Sequence, residues 1–139
     1  MRKLLTEYDV RELLAFGEAV NGNKEIFEYL LKNGYPELAA LSAAIHSDTG
    51  ALKWLFDNNF PELGVLSDAI DAEDKAIDWL RKHNLTFYVV FAEACRGGTA
   101  AREWLNQNKF GVFVRLSVNI HEVLEKQRFD AWDYHKFRF

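Results

Sequence analysis

Residues 23–47 read NKEIFEYLLKNGYPELAALSAAIHS, and this pattern recurs three more times without a gap. The step is 25 residues, as the series Leu30, Leu55, Leu80 and Leu105 demonstrates. A fixed period of this length is typical of repeat proteins, in which short units bury their apolar faces by stacking on their neighbours. The repeat therefore decides the predicted fold class.

Two sets of apolar positions recur in each repeat with helical spacing. In the first complete copy they are Ile26, Tyr29 and Leu30, followed by Leu38, Leu41, Ser42 and Ile45. The spacing i, i+3, i+4 and i+7 places each set along one stripe of a helix. Each repeat is therefore predicted to be a hairpin of two helices.

The residues between the two sets favour helix ends. The first helix is expected to end at Gly34, Asn59, Asn84 and Lys109, and the first three belong to types that tolerate the left-handed conformation at a helix C-terminus. Pro36 and Pro61 stand where the second helix would begin, a position that favours proline.

The predicted fold is all-α: a right-handed α-solenoid of about five stacked helical hairpins in a single domain. Its repeats are residues 1–22, 23–47, 48–72, 73–97 and 98–122, and an aromatic C-terminal cap follows at residues 123–139. The β-branched residues of the last two repeats leave a local strand as an alternative, although stacking favours helices there. The second helices are rich in small residues, so we expect them to line an inner, concave side.

Two segments of the repeat look like those of a known family. Glu25–Gly34 resembles the outer helix of an ankyrin repeat, and Pro36–Ala44 resembles its inner helix loosely. The Thr-Pro-Leu-His signature and the β-hairpin of ankyrin repeats are missing, which shortens the period from about 33 residues to 25. The resemblance to an ankyrin-like helical repeat implies protein–protein recognition through the inner face.

Composition narrows the function classes. Residues 1–97 hold 10 Lys and Arg against 16 Asp and Glu, and residues 98–139 hold 7 against 5. A concentrated basic face, which nucleic-acid binding requires, is absent, so no nucleic acid is expected as a partner. No apolar run is long enough to span a membrane, and the N-terminus does not resemble a signal peptide. With the single Cys95, these features predict a cytoplasmic protein.

A polar ladder near the ends of the second helices is the predicted binding site. Its positions recur every 25 residues while the residue types at these positions change. Solenoid proteins vary their binding specificity in this way, by changing surface residues on a constant backbone. The alternative is an ordinary solvated helix face. The predicted protein- or peptide-binding residues are His46, Asp68, Asp71, Glu93, Arg96 and His121.

The other candidate functional residues also have a structural interpretation. The aromatic series Tyr29, Trp54, Trp79 and Trp104 forms either a stacking platform for sugars or bases or, as favoured, a structural spine. No histidine or cysteine pair has metal-ligand spacing, and Cys95 takes the place of an isoleucine. We therefore predict no cofactor, no metal and no enzymatic activity.

The C-terminal aromatics have two predicted roles. They either fold back as a cap over the last repeat or form a patch for another chain. The second role makes the protein a self-assembling structural protein, the alternative to a binding module. The predicted homo-oligomer residues are Phe87, Val112, Val114, Trp132, Tyr134, Phe137 and Phe139.

Overall fold

The computed structural model describes residues 3–136, with side chains placed for residues 3–132. Within this part of the chain all regular structure is helical and no strand is found. A short 3₁₀ turn, Leu5–Glu7, precedes nine α-helices. They are α1 (Val10–Val20), α2 (Lys24–Lys32), α3 (Pro36–Ile45), α4 (Thr49–Asp57), α5 (Pro61–Ile70), α6 (Asp74–Lys82), α7 (Thr86–Cys95), α8 (Thr99–Gln107) and α9 (Gly111–Lys136). The all-α prediction is confirmed, and α7 is helical despite its β-branched residues.

The helix boundaries follow the period seen in the sequence. Helices α2, α4, α6 and α8 begin at residues 24, 49, 74 and 99, and helices α3, α5, α7 and α9 begin at residues 36, 61, 86 and 111. The four predicted ends of the first helices all have positive φ, at Gly34 (89°), Asn59 (69°), Asn84 (58°) and Lys109 (65°). Asn59, Asn84 and Lys109 therefore adopt the conformation that glycine adopts most easily, because each hairpin needs the same turn.

The helices form two layers. Each of α2, α4, α6 and α8, here called the outer helices, packs on the helix before it and the helix after it. The other five, α1, α3, α5, α7 and α9, pack in chain order on each other and are here called the inner row. One leucine of each outer helix, Leu30, Leu55, Leu80 and Leu105, is completely buried.

The inner row closes on itself because α1 also packs on α9. Gly17 lies at this contact, where an added Cβ would come 2.9 Å from Leu116 Cδ2 and 3.2 Å from Asn119 Nδ2. The closure leaves no open concave face between the first and last inner helices, so the expected concave surface is not found. The ends of the inner helices remain accessible, and so do residues along the outer faces of α1 and α9, such as Leu14, Glu18, Arg115 and Val118.

A single apolar core fills the inner row. The predicted stripe of each second helix is buried in all five inner helices, including Leu13, Phe16, Leu41, Leu66 and Phe91. Burying side chains of this size contributes about 1.5 to 3 kcal/mol each. No helix in the described part of the chain is both long enough and apolar enough to cross a membrane.

Helix α9 continues well past the last repeat. Val123 and Leu124 still pack against the core, and the Gln127 side chain reaches the C-terminus of α3. Phe129 and Trp132 are 61% and 56% exposed, and their ring centroids are 6.3 Å apart. These two aromatic side chains therefore do not cover the core. The side chains of Tyr134, Phe137 and Phe139 lie outside the described residues.

Candidate functional site

The predicted polar ladder lies where the inner helices α3, α5 and α7 end. His46 Nε2 lies 2.7 Å from the carbonyl oxygen of Val20, and Arg96 Nη1 donates to the carbonyl of Ala69 at 2.6 Å. His121 Nδ1 lies 3.2 Å from the carbonyl oxygen of Cys95. The last carbonyls of a helix have no partner within it. These ladder residues therefore tie the C-termini of α1, α5 and α7 to the next helix of the inner row.

Asp71 is the exception in the ladder, because a carboxylate cannot donate a hydrogen bond. The equivalent carbonyl, that of Ile45, instead accepts from Gln127 Nε2 at 3.1 Å. Burial raises the pKa of Asp71 above its usual value, and the Asp68 and Glu73 carboxylates raise it further. Asp71 thus remains in the ladder as an acidic group without the structural role of its equivalents.

Three of the predicted site residues meet in one cavity of about 320 Å³, here called the C-terminal cavity. Asp71, Arg96 and His121 line it together with residues of the extended α9. The Glu125 carboxylate lies 3.6 Å from His121 Nε2 and 3.3 Å from Arg128 Nη1. The remaining lining residues are Ile70, Ala72, Leu124 and Gln127. The cavity therefore offers both signs of charge beside an apolar wall.

The other three predicted residues lie apart from this cavity. Asp68 lines a shallow groove of about 440 Å³ between α5 and α6, where burial and then the Glu73 carboxylate raise its pKa. Glu93 is exposed and packs beside Gly98 at the turn into α8. His46 is exposed at the end of α3. The structure thus brings together half of the predicted set.

The opposite ends of the inner helices carry a second polar group, which the sequence analysis did not identify as a site. Glu12 and Glu37 are only 7% and 8% exposed, and Glu62 occupies the equivalent position in α5. Tyr8 Oη donates a hydrogen bond to Glu37 Oε2. Burial and this hydrogen bond raise the pKa of Tyr8, which keeps its hydroxyl protonated as a donor. One sign of this group is visible in the sequence: the position held by Glu12, Glu37 and Glu62 in the first three repeats changes to Phe87 and Val112 in the last two.

A larger cavity, of about 920 Å³, opens beside Glu37 and is here called the N-terminal cavity. It lies where α2 turns into α3 and α4 turns into α5. Its lining residues are Lys3, Tyr8, Asn33, Gly34, Tyr35, Pro36, Glu37, Asn58, Asn59 and Phe60. Aromatic rings and polar side chains therefore share its surface.

The aromatic series of the outer helices makes local ring contacts. Trp54 stacks on Phe60 with centroids 6.0 Å apart, and Trp104 stacks on Phe110 at 6.1 Å. Trp79 stacks on the His83 ring at 3.8 Å. These contacts agree with the structural interpretation of the series.

Cys95 is fully buried, and burial raises the pKa of its thiol. The thiol therefore stays protonated, and a nucleophilic thiolate is disfavoured. Among the side chains that the structure describes, those of residues 3–132, no group of three or more His, Cys, Asp or Glu is placed to hold a metal ion.

The structure describes the side chains of four predicted homo-oligomer residues, Phe87, Val112, Val114 and Trp132, and these four are divided between distant regions. Phe87 packs against Phe110 and Phe113 at centroid distances of 4.8 and 4.9 Å. Val112 and Trp132 lie on α9 about 30 Å apart, given a rise of about 1.5 Å per residue. These residues therefore do not form one continuous patch. Phe129 and Trp132 form a separate exposed apolar surface.

Comparison of the chain with protein-family models, with curated proteins and with solved structures finds no match. The geometry of the two ends of the inner row is therefore the basis for inferring a function.

Proposed function

We propose that the helix pairs form a right-handed α-solenoid of about five hairpins, similar in its helix pairs to ankyrin repeats, with one turn bringing the last hairpin onto the first. The constant spacing of the helix starts and the contact between α1 and α9 support this architecture. The first hairpin is abbreviated, since the 3₁₀ turn Leu5–Glu7 takes the place of its outer helix.

On this frame we infer a non-enzymatic module that binds a protein or peptide in the cytoplasm. The observation that carries this function is the convergence of Asp71, Arg96 and His121 with α9 in the C-terminal cavity. Arg96 and His121 contribute to the fold through their backbone contacts, whereas Asp71 does not. An acidic group at a position where burial and two neighbouring carboxylates disfavour its charge supports a binding role for Asp71.

The cavity is suited to an extended segment that carries charges of both signs. Glu125 and Asp71 present carboxylates, while Arg96 and Arg128 present guanidinium groups that favour carboxylate partners. Leu124 and Ile70 add apolar surface that a side chain of the partner can cover. Affinity for such a segment would come from the apolar contact, and specificity from the order of its charges.

Affinity capture from native lysate with charge-reversed variants tests this function. We expect a protein captured by the wild type to be lost or weakened at least tenfold with Asp71→Lys, which removes no hydrogen bond of the fold. Lys53→Glu, on the exposed face of α4, is the matched control and should retain the partner. Equal capture by wild type, Asp71→Lys and Arg128→Glu would contradict the proposal.

A self-assembling structural protein is the second candidate, favoured by the exposed Phe129 and Trp132. Exposed aromatic pairs of this kind are common at the centres of protein interfaces. Light scattering after size exclusion tests it: the wild type should form oligomers that Phe129→Ser with Trp132→Ser reduces to monomers. A wild type that stays monomeric at high concentration would exclude this candidate.

A further inference from the structure

The N-terminal cavity combines a buried carboxylate with aromatic walls. Glu37 lies on one side, and Tyr8 and Tyr35 stand next to it with ring centroids 6.2 Å apart and planes tilted by 59°. Phe60 closes the neighbouring side from the start of α5. The faces of such rings attract cations, because the π-electrons give each face a partial negative charge.

The cavity contains polar atoms that are available as hydrogen-bond acceptors. Asn33 Nδ2 donates to the carbonyl of Tyr29 and Asn58 Nδ2 donates to the carbonyl of Trp54, so both amide Oδ1 atoms remain available as acceptors. Pro36 has no backbone N–H to offer. The Tyr8 hydroxyl is already used as a donor to Glu37. A ligand that donates hydrogen bonds can therefore use these acceptors.

Glu37 has no ion-pair partner in the described part of the chain, although it is more than nine-tenths buried. A buried carboxylate is stabilised by one phenol hydroxyl only in part, since a carboxylate can accept several hydrogen bonds. A positive group that enters the cavity would complete these interactions. The charge of the cavity is thus complementary to a cation.

The protein itself places one ammonium group on these rings. Lys3 lines the cavity, and its Nζ lies 5.4 Å from the centroid of the Tyr8 ring. This distance is within the range of a cation–π interaction. Lys3 is exposed, and its Nζ lies over the Tyr8 ring and not in an ion pair with Glu37.

We propose that the N-terminal cavity binds the cationic side chain of a lysine or arginine presented by a partner protein. The ammonium or guanidinium group contacts the Glu37 carboxylate and the Asn33 and Asn58 amide oxygens. The aliphatic part of the side chain lies between Tyr35 and Phe60. This site is at the opposite end of the inner row from the C-terminal cavity and is independent of it.

NMR titration of the ¹⁵N-labelled full chain tests the proposal with three blocked amino acids of similar size: Nα-acetyl-lysine, Nα-acetyl-arginine and Nα-acetyl-norleucine methylamides. We expect the two cationic probes to shift the backbone N–H signals of residues 33–35, 37 and 58–60. The norleucine probe should cause shifts at least fivefold smaller. Raising the salt concentration from 20 to 300 mM should weaken the cationic probes, because ion pairing is screened.

Single substitutions separate the contributions of the carboxylate, the aromatic wall and the Lys3 charge to binding of the lysine probe. Glu37→Gln should weaken lysine binding at least fivefold, whereas Glu28→Gln, an exposed control on α2, should leave it unchanged. Phe60→Leu tests the aromatic wall without altering charge and should weaken binding about threefold. Lys3→Ala should strengthen binding by removing a like charge at the rim. Each variant is first checked by circular dichroism for its helical fold.

Several outcomes would overturn the proposal. These are equal shifts from the norleucine probe, unchanged binding in both Glu37→Gln and Phe60→Leu, and shifts that map only to the C-terminal cavity. None of them bears on the capture experiment with Asp71→Lys, so this proposal and the proposed function can fail separately.

Discussion

The two ends of the inner row differ in the chemistry that they present. At the C-terminal end, His46, Arg96 and His121 bond to backbone carbonyls of the preceding inner helix. At the N-terminal end, carboxylates such as Glu12 and Glu37 occupy the first turns of the helices. Helix C-termini favour donors and cations, and helix N-termini favour acceptors and anions. The dipole of each inner helix therefore explains most of the difference.

Both ends also contain positions where the pattern is broken. Asp71 places an anion at a helix C-terminus, and Phe87 and Val112 replace glutamates at helix N-termini. The first exception borders the C-terminal cavity, while Phe87 belongs to an aromatic cluster with Phe110 and Phe113. A residue that departs from the type found at the equivalent positions of the other repeats therefore marks either a change in packing or a candidate binding residue.

The largest effect on stability is expected at the N-terminal end from Phe87→Glu, which restores the glutamate found at the equivalent positions Glu37 and Glu62. This change removes an aromatic side chain from its cluster and places a carboxylate beside Phe110 and Phe113, with an expected loss of about 3 kcal/mol in the free energy of unfolding. Urea denaturation measures it. Thr86→Glu, exposed in the same turn, is the control and should change stability by less than about 0.5 kcal/mol. A Phe87→Glu protein as stable as the wild type would mean that this position in the repeat tolerates both residues.

The second effect concerns the ladder at the C-terminal end. Arg96→Met keeps the apolar stem but removes the guanidinium that donates to the Ala69 carbonyl, and should cost about 1.5 to 3 kcal/mol. Arg81→Met, on the exposed face of α6, should have little effect. Equal stability of the two variants in urea would show that the ladder does not hold the helix ends together.

At the N-terminal end, Tyr8→Phe removes the donor to the buried Glu37 carboxylate. We expect a loss of about 1 to 2 kcal/mol, because Glu37 keeps its burial and loses its hydrogen bond. Thermal unfolding followed by circular dichroism measures the loss, with the more exposed Tyr29→Phe as the control. A Tyr8→Phe protein as stable as the control would argue against a structural role for this pair.

The smallest effect has the opposite sign. Because the fold raises the pKa of Asp71, the folded protein holds this proton more tightly than the unfolded chain, and ionised Asp71 lowers stability above the raised pKa. Asp71→Asn should therefore stabilise the protein at pH 7, by about 0.5 kcal/mol after allowance for its partial exposure.

The stabilisation by Asp71→Asn should fade as the pH falls through the raised pKa toward the usual value of about 3.9. Paired unfolding curves of wild type and variant between pH 7 and pH 3 measure this difference. A variant that is less stable than the wild type at pH 7 would show that the Asp71 carboxylate has a stabilising partner.

Local sequence signals predicted the helices well, and contacts between distant residues account for what they missed. The period, the buried stripes and the turn positions Gly34 and Asn59 depend on neighbouring residues, and the structure agrees with them. The contact between α1 and α9 depends on the curvature of the whole row, which no single repeat encodes. The bond between Gln127 and Ile45, 82 residues apart, was unpredictable for the same reason.

The candidate sites show the same difference between local sequence signals and contacts between distant residues. The ladder was found because it repeats, yet only Asp71, Arg96 and His121 come together, in the cavity that the extended α9 also lines. The N-terminal cavity was missed because Tyr8 and Glu37, 29 residues apart, belong to different hairpins. Lys3 gave no signal in the sequence, because its contact with Tyr8 depends on the path of the chain before α1.

The contact at Gly17 limits how this protein can change in length. Open repeat arrays grow or shrink by duplication and deletion of units, since a terminal unit needs only one neighbour. Here the first and last inner helices are neighbours, so a duplicated unit would have to force them apart and expose the residues that meet there. The number of units is thus set by circumference, and new specificity must come from substitutions at the helix ends.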